Sequence, residues 1–506
     1  MILNRENLNS LNPGLDVTFP HIEMFKLPEK VLQFGTGVLL RGLPDYYIDK
    51  ANKQGLFNGR VVVIKSTDKG GISEFDKQDG LYTICVRGIA DQKKIEHNIV
   101  CSSISRVVNA GKDWETILEF AGSPDLEVII SNTTEVGIRL VKDDIKDSPP
   151  ISFPGKLLAV LYKRYQTFEG DQTKGLVILP TELIPDNGKK LKEIVIELAA
   201  QNGLDKTFIK WLSESNRFCN TLVDRIVPGK PNQNLLSQLE SELIYKDELI
   251  IVAEVYKLWA IEGDEHVKKI LSFALADPSV IITPDIDIYR ELKLRLLNGT
   301  HTLSCGLAFL AGIKTVKEAM DDERVSLFIS NLMLEEISVA IPYPVPAETA
   351  IEFSNKVLDR FRNPHIEHHW QSISVNYTAK VLMRVVPVLK RYYELFGEAP
   401  ARMACGFAAY ILFMRSAIQE NGYHYGEFKG EKYLIDDDKA SLFLKHWQNT
   451  DIKIVVNNLL SDTDLWSVNL TELPGFADTV ILYLEEIMNK GIQEAISKLD
   501  LNNTPA

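Results

Sequence analysis

Residues 30–55, KVLQFGTGVLLRGLPDYYIDKANKQG, decide how the first half of the chain folds. An apolar run, Val31 to Phe34, meets a Gly35-Thr36-Gly37 turn and continues into residues with helical apolar spacing. Strand, glycine turn and helix together make the cradle of a dinucleotide pyrophosphate. Glycine lets the backbone approach a phosphate, and the helix start supplies free N–H donors and a positive dipole end. The candidate cofactor residues here are Phe34, Gly35, Thr36, Gly37, Val38, Leu39, Leu40 and Arg41. Leu40 stands where the usual fingerprint carries its third glycine, so the triplet alone could equally be an ordinary turn. A second run, Val61-Val62-Val63-Ile64, follows one helix later and completes a βαβ unit. An acidic residue at its end would bind a ribose 2′-hydroxyl; Lys65 and Ser66 come first and Asp68 a little later, which leaves NAD and NADP both open.

Moving outward, residues 79–89 (DGLYTICVRGI) and 93–108 (KKIEHNIVCSSISRVV) alternate and are rich in β-branched residues, which predicts antiparallel strands inserted into the nucleotide domain. Leu126 to Ile130 is a buried strand running into Ser131-Asn132-Thr133-Thr134-Glu135. Parallel sheets bind ligands at the carboxyl ends of their strands, so Asn132 and Thr133 join the cofactor candidates, although a cluster of helix-capping residues reads the same way. A helix from Pro154 to about Phe168, a strand over 175–179 ending in Pro180-Thr181-Glu182-Leu183, and an amphipathic helix over 187–203 extend the pattern. Asp224 and Arg225 stand side by side and read as an exposed ion pair.

Past Thr283-Pro284-Asp285 nearly everything has helical period: 307–319, 324–339, 347–361, 379–396, 401–418, 439–460 and 475–499. The fold expected is an α/β Rossmann-type N-terminal domain with inserted strands over 1–283, followed by a mostly α-helical substrate and catalytic domain over 284–506.

Composition narrows the partners. A net charge of −13 over 506 residues excludes nucleic acid or an anionic membrane as the main partner. The first residues lack the basic and apolar regions of a secretion signal, and no apolar run is long enough for a membrane helix, so a cytoplasmic protein is expected. Five scattered cysteines, with no CxxC spacing, indicate neither a disulfide frame nor a zinc ribbon.

Residues 289–305, YRELKLRLLNGTHTLSC, place a lysine, an amide and a histidine in an otherwise apolar helical run. On a wheel of roughly 100° per residue, with Lys293 at zero, His301 falls near ~80° and Asn298 near ~140°. Leucines spread round the wheel predict burial, and burial would draw the Lys293 ammonium down from about 10.4 toward the range of a general base. Asn298 and His301, three apart, can both donate to one oxygen. The alternative is a snorkelling lysine and an Asn-Gly pair that ends a helix. His365 and His369 have i,i+4 spacing in PHIEHHW (364–370), but without HExxH they read as packing, and no metal is expected.

With FGTG, QDGLYT, SNTTEVG and KLRLLNGTH in place, the whole chain resembles the long-chain mannitol dehydrogenase family of polyol and uronate dehydrogenases. The resemblance implies a Rossmann-type domain followed by a helical one, NAD as cofactor, metal-independent chemistry, a small sugar or sugar-acid substrate, and a monomer or homodimer. Position by position, it makes Lys293 the general base and Asn298 with His301 the carbonyl-oxygen donors, and it puts Asp224 and Lys380 beside the substrate. Arg362 joins them as a cation for a substrate carboxylate by its nearness in sequence, with Arg225 in reserve. The sequence departs from the mannitol and fructuronate branches at Thr181-Glu182-Leu183, where those carry Cys-Asp-Asn. It departs again at Ser372 and Val375, where the family has an arginine and a histidine. The Glu-Leu pair resembles the branch that reduces D-tagaturonate. Reduction of fructuronate or oxidation of mannitol or arabinitol is the alternative within the family, and a non-catalytic dinucleotide sensor the alternative outside it.

Overall fold

In a computed structural model of the chain, residues 1–11, 17–66, 72–133 and 137–501 are described, with backbone alone for 500 and 501. Asp68, Thr134 and Glu135 lie outside the described residues. The chain divides into two units: Met1–Gly88 with Lys94–Ile286, and the residues from Asp287 onward with Ile89–Lys93.

The first unit is built on a six-stranded sheet in the order Ile104–Asn109, Arg60–Lys65, Glu29–Phe34, Val128–Ser131, Val177–Pro180 and Arg217–Phe218. Every pairing in it is parallel. Runs such as VVVI are apolar at consecutive positions because both faces are covered. Val31, Val61, Val63, Val128, Ile130 and Val177 pack with Leu40 and Tyr47 on one side. Leu32, Phe34, Val62, Ile64, Ile129 and Ile178 pack with Leu157, Leu161 and Leu198 on the other. Each such buried side chain stabilises the sheet by about 1.5–3 kcal/mol.

The expectation for 93–108 needs correction. Ile104–Asn109 leaves the inserted strands and pairs parallel with Arg60–Lys65. The remainder forms a separate sheet in the order Val17–Thr18, Lys93–Cys101, Tyr82–Ala90 and Ile251–Glu254, with parallel pairing at both edges. Alternation fixes which face of a strand is buried but carries no information about the direction of its neighbour. A third sheet joins Thr221–Asp224, Leu258–Glu262 and Val280–Thr283.

The second unit is mostly helical. Ala347–Phe361 forms over the range its periodicity predicts. Four other predicted helices are split. The 439–460 run becomes Ala440–His446 and Ile452–Ser461, the second piece capped by Asp451, whose side chain accepts from the Lys453 N–H. The 379–396 run becomes Tyr377–Arg384 and Val386–Phe396, because Pro387 lacks an N–H and serves the first turn of the second piece. The 475–499 run breaks at Gly491 (φ 89°). The 307–319 run breaks after Leu310 and restarts at Val316, where Thr315 and Glu318 form a capping box. The helix read over 401–418 stops at Phe413. Beyond it lies a three-stranded antiparallel sheet, Ile418–Glu420, Tyr423–Phe428 and Glu431–Ile435. Its turns, Asn421-Gly422 and Lys429-Gly430, hold positive φ at both residues (52° and 83°, 52° and 82°), as tight hairpins require. Among the described residues no helix is long and apolar enough to cross a membrane.

Candidate active site

The glycine turn of the first unit is fixed from three sides. Gly35 has φ 127°, and a Cβ there would lie 2.9 Å from Leu40 Cδ1 and 3.1 Å from the Asn132 carbonyl oxygen. Only glycine meets both demands. Leu40, fully buried, fills the helix-to-strand contact that the absent third glycine would otherwise tighten. A Cβ on Gly37, by contrast, would meet nothing within 4 Å, so the turn opens outward at the position where a phosphate would approach. Beneath the turn, buried Gln33 donates from Nε2 to the Gly35 carbonyl (3.3 Å) and to Asp45 Oδ2 (3.2 Å). Burial pushes the Asp45 carboxyl up to about 7.

Arg41 turns inward. Its guanidinium donates to the Leu249 carbonyl (2.6 Å) and lies over the Tyr82 ring. Val38 and Leu39 pack partly buried against the same core, while Phe34 is buried on the opposite face and Thr36 is half-buried. Lys65, at the end of its strand, is buried and Ser66 is exposed.

Asn132 and Thr133 continue the Val128–Ser131 strand next to this turn. The Asn132 backbone N–H donates to the Phe34 carbonyl (3.2 Å) and its amide to the Thr181 carbonyl and hydroxyl (3.1 and 3.0 Å). Glu182 is the anchor of the loop. Its buried carboxylate accepts from Ser131 Oγ (3.1 Å), the Thr133 N–H (2.9 Å) and Thr133 Oγ1 (2.9 Å), while Leu183 is exposed. Burial raises the Glu182 pKa against the lowering effect of these bonds. The sequence departure at 181–183 is therefore tied to the shape of the loop that holds Asn132 and Thr133.

Asp224 and Arg225 do not form the exposed pair expected of them, since both are buried. Arg225 donates to the carbonyls of Glu254 (2.9 Å) and Gly42 (2.5 Å) and lies 4.6 Å from the Tyr46 ring centroid.

In the second unit, the segment carrying Lys293, Asn298 and His301 is not a plain α-helix. An α-helix, Asp287–Leu292, passes into a π-helix, Lys293–Gly299, and returns to an α-helix, Thr300–Leu310. Hydrogen bonding from i to i+5 winds fewer degrees per residue, so Lys293 and Asn298, five apart, come toward the same line where the α-wheel set them far apart. The burial expected all round this helix is corrected as well. Arg295, Leu296, Leu297 and the turn from Gly299 onward are buried, but Lys293, Leu294 and Asn298 are half-buried. Arg295, charge-paired with Glu291 (2.9 Å), donates to the carbonyls of Met383 and Arg384 and so ties the π-helix to the helix Tyr377–Arg384.

His301 is buried, stacked on Phe361 (centroids 4.3 Å, planes 14° apart) and met edge-on by His368 (5.1 Å). Its pKa is held well below the usual histidine value, first by burial and then by the charges of His368, Arg360, Arg384 and Lys380. The ring is neutral near pH 7, with one N–H to give. Its Nε2 is buried with no hydrogen-bond partner among the described residues.

The cations round this ring are partly those expected. Lys380, half-buried, donates to the Ile373 carbonyl (2.8 Å), and burial lowers its pKa. Arg362 faces Asp359 (3.5 Å). Arg360 and Arg384, whose charges also act on His301, were not legible from sequence although each stands within four residues of an expected cation, Arg362 or Lys380, because sequence alone does not fix which side chains of a helix meet the ring. His369 sits against Glu367 (3.1 Å), and no group of three or more potential metal ligands is gathered among the described residues. A cavity of about 690 Å³ near Tyr343, Lys390 and Trp466 includes none of Lys293, Asn298 and His301 in its lining.

Known proteins with this architecture are consistent across the chain. Residues 29–274 match the family described as the mannitol dehydrogenase Rossmann domain, and residues 285–488 the mannitol dehydrogenase C-terminal domain. The altronate oxidoreductase of Bacillus subtilis (strain 168) is 40% identical over 476 residues, covering 93% of this chain and 95% of its own length. That of Halalkalibacterium halodurans is 40% identical over 502 residues, covering 97% of each. Among solved structures, the Pseudomonas fluorescens mannitol 2-dehydrogenase ternary complex with NAD and D-mannitol is 22% identical with TM-score 0.66, covering 100% of both chains. A D-sorbitol dehydrogenase in substrate-free form is 19% identical with TM-score 0.78, covering 98% of this chain and 100% of its own. These two share the fold. With both domains matched and relatives aligned along nearly the whole length, the chain belongs to the mannitol dehydrogenase family and is an oxidoreductase acting on CH–OH groups.

Proposed function

We propose that this chain catalyses the reversible, NAD-dependent and metal-independent reduction of D-tagaturonate to D-altronate. The reading rests on relatives named altronate oxidoreductase at 40% identity and on the chemistry available around His301. The observation that carries it is the neutral, buried imidazole whose Nε2 has no protein partner, set among cationic side chains.

A bound nicotinamide dinucleotide supplies the hydride that reduces the carbonyl carbon. Gly35, Thr36 and Gly37 fit its pyrophosphate, since the turn is open at Gly37, and Asn132 and Thr133 border that turn. Phe34 and Val38 to Arg41 shape the turn from below. As charge builds on the carbonyl oxygen, His301 donates from Nε2 and Asn298 from its amide, two preset donors whose effect is greatest in a site that excludes water. Lys293 gives the proton in the reductive direction and takes it back in the oxidative one. Lys380, its charge directed on His301, serves as a substrate contact, as does Asp224. Arg362, already facing Asp359, is the weaker candidate for the substrate's carboxylate.

The test is oxidation of NADH, followed by absorbance, with D-tagaturonate, D-fructuronate and D-fructose offered separately at equal concentration. Turnover of tagaturonate well above the other two is the expected result. Preference for fructuronate or fructose would overturn the substrate assignment, and silence with all three, despite NADH binding, would favour a dinucleotide sensor.

A further inference from the structure

Arg384 is a cation that faces no carboxylate among the described residues. It is half-buried, and its Nε is buried without a hydrogen-bond partner. Its Nη1 makes one bond, to the Thr302 hydroxyl (3.2 Å), and that hydroxyl in turn donates to the Asn298 carbonyl (2.7 Å). Burial lowers its pKa, with no carboxylate acting in the other direction. A guanidinium taken partly out of water without a counter-charge is unfavourable, and a ligand that brings the charge relieves the penalty.

The backbone at Arg384 is held just as firmly. Its carbonyl and that of Met383 accept from Arg295, and the Arg384 carbonyl lies 3.6 Å from where a Cβ on Gly299 would stand. The start of the same helix is fixed by Asp437, which accepts from the Thr378 N–H (2.7 Å) and hydroxyl (3.0 Å). The guanidinium is thus one bridging hydroxyl from Asn298 and one of the charges that depress His301. Two further cations of the second unit are differently engaged: Lys380 Nζ donates to the Ile373 carbonyl, and Arg362 faces Asp359.

We infer that Arg384 reads the carboxylate of a sugar-acid substrate and is the residue that makes this site prefer acids over neutral polyols. The inference rests on the proposed reaction for its choice of ligand. A guanidinium offers a planar fork matched to two carboxylate oxygens, which an ammonium does not. It also explains how one scaffold serves neutral and acidic sugars, since an unpaired guanidinium disfavours a ligand that brings no charge to it.

The test measures binding, by calorimetry with NADH present so that no turnover occurs, of D-altronate and its neutral counterpart D-altritol. Wild type, Arg384→Gln and Arg384→Lys are compared, with thermal unfolding as the check on folding. Arg384→Gln should weaken altronate roughly ten- to a hundred-fold, the worth of a charge-assisted contact, and leave altritol within about two-fold. Arg384→Lys should recover part of the loss. Equal altronate affinity in wild type and Arg384→Gln, an equal loss for altritol, or no altronate binding by wild type would each overturn the assignment. Failure of tagaturonate turnover alone would refute the proposed reaction and leave the carboxylate reading intact.

Discussion

Asp45 lies under the glycine turn, fully buried, with one carboxyl oxygen bound to Gln33 and the other without a partner. Its pKa rises from 3.8 to about 7, with burial as the main cause. The folded protein therefore keeps a proton that the unfolded chain releases near 3.8. Stability from this group is fully present below the unfolded value and is lost as pH climbs through the folded one. Each pH unit between the two values costs about 1.4 kcal/mol, and the loss levels off above 7; from pH 5 to pH 8 it sums to about 3 kcal/mol. Asp45→Asn keeps the size of the side chain and removes the titration, so the difference between variant and wild type should shift in favour of the variant by about that amount over the same interval. Urea unfolding of the first unit, followed by a probe in it at each pH from 5 to 8, measures this directly. Parallel curves for the two proteins, with a constant offset, would show that Asp45 does not titrate in the folded protein over this interval, and the account of the buried Gln33–Asp45 pair would fall. The same titration reaches function, because Gln33 joins Asp45 to the Gly35 carbonyl: NADH affinity in wild type should drift between pH 6 and 8, and in Asp45→Asn it should not.

Gly35→Ala forces a side chain onto a backbone with φ 127°, within 3.1 Å of the Asn132 carbonyl, and backbone cannot yield as a side-chain tip can. It should destabilise the first unit by about 1–3 kcal/mol and abolish NADH binding by fluorescence titration, whereas unimpaired binding would remove this turn from the cofactor site. Lys293→Ala should lower turnover at least about a hundred-fold while NADH binding stays near wild type; loss of both together would mean that Lys293 is structural.

Much of this was readable in the residues, and what was not has identifiable causes. The GTG turn and the runs flanking it announce a parallel sheet because glycine pattern and unbroken apolar strands are local properties. The helix breaks at Pro387 and Gly491 were written in the sequence too, but a periodicity that resumes in phase on the far side conceals them. The same holds for the 418–435 sheet, where Asn421-Gly422 is a strong hairpin signal inside a domain otherwise helical. Glu182 and Arg384 could not be assigned locally. The Ser131–Thr133 loop that the first holds lies about fifty residues upstream, and the hydroxyl that the second meets is 82 residues away. Only the fold brings such pairs together.

The π-helix is the deepest of these differences, since no residue type in KLRLLNG specifies it. An i→i+5 segment is less favourable than an α-helix of the same length and persists where its surroundings impose it. Here the constraint is visible: Arg295, buried and paired with Glu291, points away from the line of Lys293 and Asn298 and is tied to the carbonyls that end the helix Tyr377–Arg384. Rewinding Lys293–Gly299 as α-helix would turn Arg295 off those carbonyls and move Lys293 out of line with Asn298 at one stroke. The buried arginine thus holds the π-helix in register without lying on the line of Lys293 and Asn298. The order of residues in KxxxxNxxH is then intelligible: a spacing of five puts lysine and amide on one line only in a π-helix, and the following three residues, α-helical again, set the histidine beside the amide.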